Sequence, residues 1–304
     1  MVLQRCKRKQ TGQWPPCKKA CIRRRPSGCF SAAALLTSFR NIHEPEKHVF
    51  GIGLCAIALA VSASAVAADK TIRFGTDATY APFESTSPSG EIVGFDIDLA
   101  KAMCEKMQAK CTFQNQGWDG IIPALRAKKF DVISSSMSIT PEREKAVLFT
   151  QKIWSTPNMF VAKKGATYQS TAEGLKGLDL GVQQGTIQDK YATKYFKDTN
   201  IKRYKTLEDA YNDLTTGRVN VVFADGGVTT EFVNSPGGKD FQLVGDPIPS
   251  SADPEIFGKG TGFAVRKNDT ELRDALNKAF DEIRKDGTYQ KIADKYFKYD
   301  IYGG

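Results

Sequence analysis

The chain has little histidine, and both of its histidines lie near the amino terminus. His43 and His48 are the two among 304 residues. Histidine is the side chain used most often as a general base and as a metal ligand at neutral pH. Residues 69–304 therefore exclude histidine-dependent catalysis and histidine-ligated metal sites.

The same region lacks net charge, although the whole chain has a formal charge of +9. Of the 43 Lys and Arg residues, 11 precede position 69, as do 2 of the 34 Asp and Glu residues, so 32 of each sign remain. A basic balance would point to nucleic acid or an anionic membrane as a partner. Residues 69–304 are formally neutral and do not point to such a partner, so we expect no nucleic-acid partner.

No apolar run reaches the roughly 20 residues that a membrane span needs. Residues 47–67, KHVFGIGLCAIALAVSASAVA, have a basic start, a short apolar run and small residues at the end. This pattern predicts a secretory signal peptide cleaved after Ala67 or Ala68, and hence a periplasmic protein. Cys55 follows Leu54 rather than a small residue, so we expect neither a lipid anchor nor stable membrane insertion.

Residues 1–46 are rich in Cys, Arg and Pro and show no helical or strand periodicity. We interpret them as an amino-terminal extension without a role in the mature fold. A basic nucleic-acid-binding arm is the alternative, but export would remove it.

Only two cysteines remain after the predicted cleavage site, Cys104 and Cys111 in CEKMQAKC. A disulfide closing this short loop, between the end of a predicted helix and the next strand, suits an oxidising compartment. Two buried free thiols are the alternative. A two-cysteine metal site is less well supported, because nothing nearby completes it.

Strand and helix signals alternate along residues 69–304, which predicts an α/β fold. For example, TPEREKAVLF predicts a helix with Thr140 as its N-cap and Pro141 at its first position. The pattern restarts near Met159, and a final strand and two helices follow a loop rich in Pro, Ser and Gly. We predict one lobe from residues 69–157 and 260–304, a second from residues 158–259, and a cleft between them.

Seven motifs occur in order along this region: GTDATYAPFE, GFDIDLAKAMCEKM, WDGIIPAL, SSSMSITPER, GVQQGTIQ, FADGG and DGTYQKIADKYF. Together they resemble the periplasmic solute-binding proteins for polar amino acids that serve ABC importers, above all the lysine/arginine/ornithine- and histidine-binding group. The resemblance covers about residues 70–304. It implies a type II periplasmic binding protein, with two α/β lobes joined by two crossover strands and a ligand cleft between them. It also implies a membrane permease as partner, no cofactor and no metal, and we expect a monomer.

Arg143 is a candidate for binding a carboxylate. It lies in the first turn of the helix that follows SSSMSIT, and a guanidinium can hold a carboxylate through two hydrogen bonds. The serine run beside it offers hydroxyl and amide donors from Ser135, Ser136 and Ser138. A solvated arginine on an amphipathic helix is the alternative, and the family's carboxylate-binding arginine matches this position.

GVQQGTIQ has a similar arrangement, a strand followed by a glycine turn and a helix start. The amides of Gly185, Thr186 and Ile187 can face an anion at the positive end of that helix. An ordinary helix cap is the alternative, and in the family this segment contacts the carboxylate. Gln183 and Gln188 complete the predicted site here, Gln183 standing where relatives often have an apolar residue.

Asp225 ends an apolar strand and precedes two glycines. A helix N-cap is the simple interpretation, whereas the resemblance makes it the partner of the ligand's α-ammonium group.

The ligand's α-carboxylate and α-ammonium groups are matched by Arg143 and Asp225, so Asp77 has no partner among them. A third buried charge needs an opposite charge. A cationic ligand side chain supplies one, with Tyr80 and Trp118 enclosing its aliphatic stem. Ordinary aromatic core is the alternative for both rings. Glu84 is expected to add negative potential at the rim of the cleft.

The sequence thus predicts a receptor for a cationic L-amino acid (arginine, lysine, ornithine or histidine), with arginine slightly favoured. A receptor for another polar amino acid or an opine-type derivative is the alternative. An enzyme resembling the periplasmic dehydratases is disfavoured, because no histidine or nucleophilic cysteine is present and each cleft carboxylate has a charge partner. No catalytic residue is predicted.

Overall fold

The structure is a computed structural model that describes residues 70–303. The predicted extension of residues 1–46 and the predicted signal peptide lie outside the described residues. Within residues 70–303, no helix combines the length and apolar character that crossing a bilayer requires.

Short strands and helices alternate along the described chain, in agreement with the α/β prediction. The strands are β1 (Thr71–Thr76), β2 (Thr79–Tyr80), β3 (Glu84–Thr86), β4 (Ile92–Val93), β5 (Lys110–Asn115), β6 (Val132–Ile133), β7 (Val147–Phe149), β8 (Asn158–Lys163), β9 (Asp179–Gln183), β10 (Asn200–Tyr204), β11 (Val221–Asp225), β12 (Phe241–Ile248) and β13 (Ala264–Arg266). The α-helices are α1 (Phe95–Lys106), α2 (Ile121–Arg126), α3 (Pro141–Glu144), α4 (Ile187–Tyr195), α5 (Leu207–Thr215), α6 (Gly226–Asn234), α7 (Pro254–Phe257), α8 (Thr270–Lys285) and α9 (Thr288–Tyr296).

Two five-stranded sheets form the framework, with strand orders β5-β1-β6-β13-β7 and β10-β9-β11-β8-β12. In the first, β1 runs parallel to β5 and β6, and β13 runs antiparallel to β6 and β7. In the second, β9 runs parallel to β10 and β11, and β8 runs antiparallel to β11 and β12. A small antiparallel sheet, β2-β3-β4, follows β1.

The chain passes between the two large sheets twice. Strands β8 to β12 all belong to the second sheet, and the chain then returns to place β13 inside the first. The two connecting segments meet where Thr261 bridges to Trp154 and to Ser138. The predicted lobe boundaries, between residues 157 and 158 and between 259 and 260, remain predictions.

Aromatic side chains pack where the two sheets approach each other. Phe83 stacks on Trp154 with ring centroids 4.0 Å apart, and Phe297 lies against Phe83 at 5.4 Å. A β-carbon added to Gly227, at the start of α6, would lie 2.6 Å from the ring of Phe83. Glycine at this position therefore permits close contact between elements on the two sheets.

Cys104 and Cys111 form a disulfide, as predicted. The bond ties the end of α1 to the start of β5, at the edge of the first sheet.

The helix expected in TPEREKAVLF is much shorter than its sequence pattern indicates. Thr140 caps it and Pro141 begins it as predicted, but α3 ends at Glu144. The following segment, Val147–Phe149, is strand β7 and pairs with β13. This pairing joins residues more than a hundred positions apart, so a non-local contact overrides the local helix pattern.

Candidate functional site

Side chains from both sheets line one cavity of about 330 Å³ of empty volume. The cavity lies beyond the carboxyl ends of parallel strands, where α/β proteins place ligands. Its lining comprises twelve of the thirteen residues that the sequence analysis proposed for the ligand, all except Gly185, together with Glu84: Asp77, Tyr80, Glu84, Trp118, Ser135, Ser136, Ser138, Arg143, Gln183, Thr186, Ile187, Gln188 and Asp225.

Arg143 is the basic residue of this lining, and it is buried, with 7% of its surface exposed. It belongs to α3, where the Thr140 hydroxyl accepts a hydrogen bond from its amide at 3.3 Å. Its Nη1 donates to the carbonyl oxygen of Ser138 at 3.1 Å, and the ring of Trp118 covers the guanidinium at 4.9 Å. Burial lowers the pKa of Arg143 to about 10, while the Glu142 and Asp225 charges act in the opposite direction.

No carboxylate oxygen among residues 70–303 lies within ion-pair distance of the Arg143 guanidinium. A buried charge without a partner is costly, by several kcal/mol. The arrangement therefore favours an anionic group of a ligand at this position.

Asp225 stands on the opposite side of the cavity, at the end of β11. It occupies the position before α6 but does not cap that helix with its side chain. Its Oδ2 instead accepts a hydrogen bond from the Tyr80 hydroxyl at 2.5 Å. Burial raises the pKa of Asp225 to about 6, against the opposing effects of Tyr80, Gln188 and Arg143. Asp225 is thus the N-cap residue of α6 by position, as the simple interpretation has it, but its carboxylate binds Tyr80 in the cavity lining instead of capping the helix.

Asp77 follows β1 and is also buried. Its amide donates to the Ser135 hydroxyl at 2.9 Å, which ties it to the serine run. Its carboxylate accepts hydrogen bonds from the Thr79 hydroxyl at 3.0 Å and from Gln183 Nε2 at 2.8 Å. Burial raises the pKa of Asp77, and these two hydrogen bonds only partly offset the effect. No basic side chain contacts it among the described residues.

The turn before α4 differs from the expectation in one respect. Thr186 caps the helix by accepting from the Asp189 amide at 3.2 Å, and its hydroxyl donates to the Gln183 carbonyl at 2.8 Å. The Gly185 amide donates to Asp189 Oδ2 at 3.0 Å. It is therefore engaged within the protein and does not serve a ligand.

Arg203 supports this turn from β10, since its Nε donates to Asp189 Oδ1 at 2.8 Å. The amides of Thr186 and Ile187 remain as donors at this end of α4. Gln188 is fixed by a hydrogen bond from its Nε2 to Asn158 Oδ1 at 2.7 Å.

Glu84 is the cavity residue that the sequence analysis placed wrongly. It was expected at the rim, but only 1% of its surface is exposed and it lines the cavity. Burial, followed by the charge of Asp96, raises the pKa of Glu84 well above its usual value.

A second, larger groove of about 650 Å³ lies on the other side of Trp118 and Arg143. At its edge Lys190 of α4 pairs with Glu142 of α3, so an ion pair connects elements of the two sheets. Within residues 70–303, no group of three His, Cys, Asp or Glu residues is placed to hold a metal ion.

Comparison with known proteins places these features in context. The family profile of bacterial extracellular solute-binding proteins, family 3, matches residues 72–299. The histidine-binding periplasmic protein of Escherichia coli K12 is 45% identical over 262 residues, covering 85% of this chain and 100% of that protein. The lysine/arginine/ornithine-binding periplasmic protein of the same organism is 42% identical over 262 residues, covering 85% of this chain and 99% of that protein.

Among solved structures, a Salmonella typhimurium periplasmic binding protein with high arginine specificity superposes with a TM-score of 0.70. It is 36% identical, and the match covers 75% of this chain and 100% of that one.

Proposed function

This chain belongs to the bacterial extracellular solute-binding proteins of family 3 and has their two-lobed type II periplasmic binding fold. We propose that its ligand is a cationic L-amino acid, either arginine, lysine, ornithine or histidine. It binds in the cavity between the two sheets, and the protein delivers it to the membrane permease of an ABC importer. The names of the similar histidine-, lysine/arginine/ornithine- and arginine-binding proteins support this choice.

The observation that carries the proposal is the buried Arg143 guanidinium, which has no carboxylate partner among the described residues. A ligand α-carboxylate would supply the missing negative charge through two charge-assisted hydrogen bonds. The amides of Thr186 and Ile187 stand on the second sheet's side of the same cavity and can add donors.

Asp225 is the proposed partner of the ligand's α-ammonium group. Its carboxylate is held by Tyr80 and faces the same cavity as Arg143. The serine run lies on that lining as well and offers carbonyl and hydroxyl acceptors to the ammonium hydrogens.

Asp77 is the proposed partner of the cationic side chain. It is buried, it has no basic partner among the described residues, and burial raises its pKa. A cation beside it would restore the ionised form, since an opposite charge within a few ångströms favours it. Tyr80 and Trp118 line the space along which an aliphatic stem would lie.

The cavity is smaller than the groove outside it, which favours a single amino acid over an opine-type conjugate. The larger groove outside Trp118 keeps the conjugate as a second candidate, to be decided by titration. An enzymatic role has less support. The region after residue 69 has no histidine, and its two cysteines are joined in the disulfide.

We further propose that export by the predicted signal peptide takes the protein to the periplasm, where it acts as a monomer. Ligand contacts on both sheets would favour a closed arrangement of the two predicted lobes, and the permease would recognise that form.

Calorimetric titration of the mature protein tests the proposal, after unfolding and refolding to remove carried-over ligand. The panel contains L-arginine, L-lysine, L-ornithine, L-histidine, L-glutamine, L-glutamate and an opine. We expect the cationic members to bind at least about a hundredfold more tightly than glutamate, since one additional buried charge pair is worth several kcal/mol. Preferred binding of glutamate, glutamine or the opine would overturn the proposed ligand class.

A further inference from the structure

Glu84 is a buried acid with an unused hydrogen-bonding atom in the cavity. Glu84 lines the cavity, and its Oε2, which is buried, has no hydrogen-bond partner among residues 70–303. The Ser136 hydroxyl lines the same cavity and acts to lower the pKa of Glu84, although neither oxygen has a partner at hydrogen-bond distance among these residues. A buried polar atom without a partner costs about 1–3 kcal/mol, so this end of the cavity is poised to bind a polar group.

The groups that face Glu84 are mainly acidic. Asp96 of α1 is fully buried, and burial raises its pKa to about 7. Asp77 and Asp225 also act on Glu84 through their charges, Asp77 more strongly than Asp225. Together with burial, these charges favour the neutral form of the Glu84 carboxyl group.

The charge count of a cationic amino acid leads to the same result. Its carboxylate is matched by Arg143, its α-ammonium group by Asp225 and its side chain by Asp77. An ionised Glu84 would then be a buried negative charge without a partner, which is strongly unfavourable. A neutral carboxyl group adds no net charge and still offers acceptor oxygens.

We propose that Glu84 is a specificity-determining residue that acts as a neutral acid, accepting an N–H group of the ligand's cationic side chain at its carboxyl group and thereby favouring a guanidinium over an ammonium group. This inference rests on the proposed function and deepens it, because it concerns the choice among cationic ligands.

The preference follows from the number of donors that must be satisfied in the closed cavity. A guanidinium has five N–H donors and an ammonium group has three. Each carboxylate oxygen of Asp77 already accepts one hydrogen bond, from Thr79 and from Gln183. A guanidinium therefore depends on a further acceptor more than an ammonium group does, and the carboxyl group of Glu84 supplies it.

The test measures the affinities of the mature protein for L-arginine and L-lysine in two variants and one control. Glu84→Gln keeps a neutral acceptor of the same shape, and Glu84→Met keeps the length but removes the acceptor. Glu91→Gln is the control, because Glu91 is an exposed carboxylate on the neighbouring hairpin, weakly paired with Lys101. The arginine-to-lysine affinity ratio is the main readout, since a partly unfolded sample changes both affinities alike.

We expect Glu84→Gln to keep the arginine-to-lysine affinity ratio within about threefold of the wild type. Glu84→Met should lower this ratio about tenfold or more, because the charged guanidinium loses one hydrogen-bond acceptor. Glu91→Gln should match the wild type. A tenfold loss of arginine affinity in Glu84→Gln would show an ionised Glu84 and overturn the inference, as would an unchanged ratio in Glu84→Met. Titrations in two buffers of different ionisation enthalpy measure the protons that are taken up or released when arginine binds. This number should be equal for the wild type and Glu84→Gln, because a neutral Glu84 does not change its protonation on binding. The comparison does not require that Glu84→Met folds. Absence of any arginine or lysine binding to the wild type would instead overturn the proposed function.

Discussion

The two sides of the cavity differ in the ionisable groups they present. The side built on the first sheet and the small sheet beside it contributes Asp77, Glu84 and Arg143, whereas the side built on the second contributes one ionisable residue, Asp225. The rest of the second side consists of amide, hydroxyl and main-chain groups from residues 183–188. The first side therefore carries most of the chemistry that can distinguish one amino acid from another, and the second side adds the groups that complete the enclosure.

The two sides are also supported differently. On the first, main-chain amides bind buried side chains, as when the Ser136 amide donates to Asp96 Oδ2 at 3.2 Å. On the second, side chains fix a helix start, as Asp189 does with Arg203. Direct hydrogen bonds join the two sides, from Tyr80 to Asp225 and from Gln183 to Asp77. Ligand recognition and closure of the cavity therefore share the same residues.

Removing the guanidinium from the first side should have the largest effect. We expect Arg143→Met to weaken binding of a cationic amino acid at least about a hundredfold, because truncating one partner of a buried, hydrogen-bonded charge pair costs about 2–5 kcal/mol. Titration calorimetry measures the change. Arg218→Met is the matched control, since that arginine is exposed and pairs with Asp213. If the affinity of Arg143→Met falls by less than tenfold, the first side does not carry most of the recognition chemistry, in contradiction to the proposal.

Lowering the pH should weaken binding through the second side. Burial raises the pKa of Asp225 to about 6, and a ligand ammonium group favours the ionised form. Protons therefore compete with the ligand, and affinity should fall as the pH drops through about 6, approaching tenfold per pH unit below it. Titrations between pH 8 and pH 5 measure this slope.

Asp225→Asn should bind the amino acid weakly, and its affinity should no longer fall as the pH drops through about 6. If the wild type and this variant show the same pH dependence, Asp225 is not the group that binds the ammonium.

Widening the contact between the two sides should have a moderate effect. In Gly227→Ala the added β-carbon would lie 2.6 Å from the Phe83 ring. Overpacking of this kind costs about 1–3 kcal/mol, which corresponds to a loss of affinity of about fivefold or more where the closed form bears the cost. Gly237→Ala is the control, because only the Ser235 hydroxyl lies near that position, at 3.8 Å. Equal affinities in the two variants would show that the Phe83 contact is unrelated to closure.

Removing the ion pair at the outer edge should have the smallest effect. Lys190 and Glu142 have 36% and 67% of their side chains exposed, and exposed pairs contribute about 0–1 kcal/mol. We expect Lys190→Met to change the affinity by less than about fivefold, with the difference vanishing at high salt. A salt-independent loss of tenfold or more would place Lys190 in direct contact with the ligand.

Much of the site is predictable from the sequence because strand ends converge in an α/β fold. Asp77 and Asp225 each end a strand, and Arg143 follows a short one through a capped turn, so local patterns locate them. The disulfide is predictable in the same way, from two cysteines at a short spacing in an exported chain.

The features that the sequence analysis missed depend on non-local contacts. Strand β7 forms because β13, far along the chain, pairs with it. The raised pKa of Glu84 depends on its burial and on the charge of Asp96, and the use of the Gly185 amide depends on the position of Asp189. No periodicity or cap signal in a single segment contains this information.

Asp77 is proposed to match the charge of the ligand side chain. The most direct test compares the binding affinities of L-arginine and its neutral analogue L-citrulline, which have nearly the same shape, for the wild type and for Asp77→Asn. We predict that the wild type binds arginine at least about a hundredfold more tightly than citrulline, and that Asp77→Asn reduces this preference to less than about tenfold, since the pair energy is lost with either charge. A preference for arginine that survives unchanged in Asp77→Asn would contradict the account.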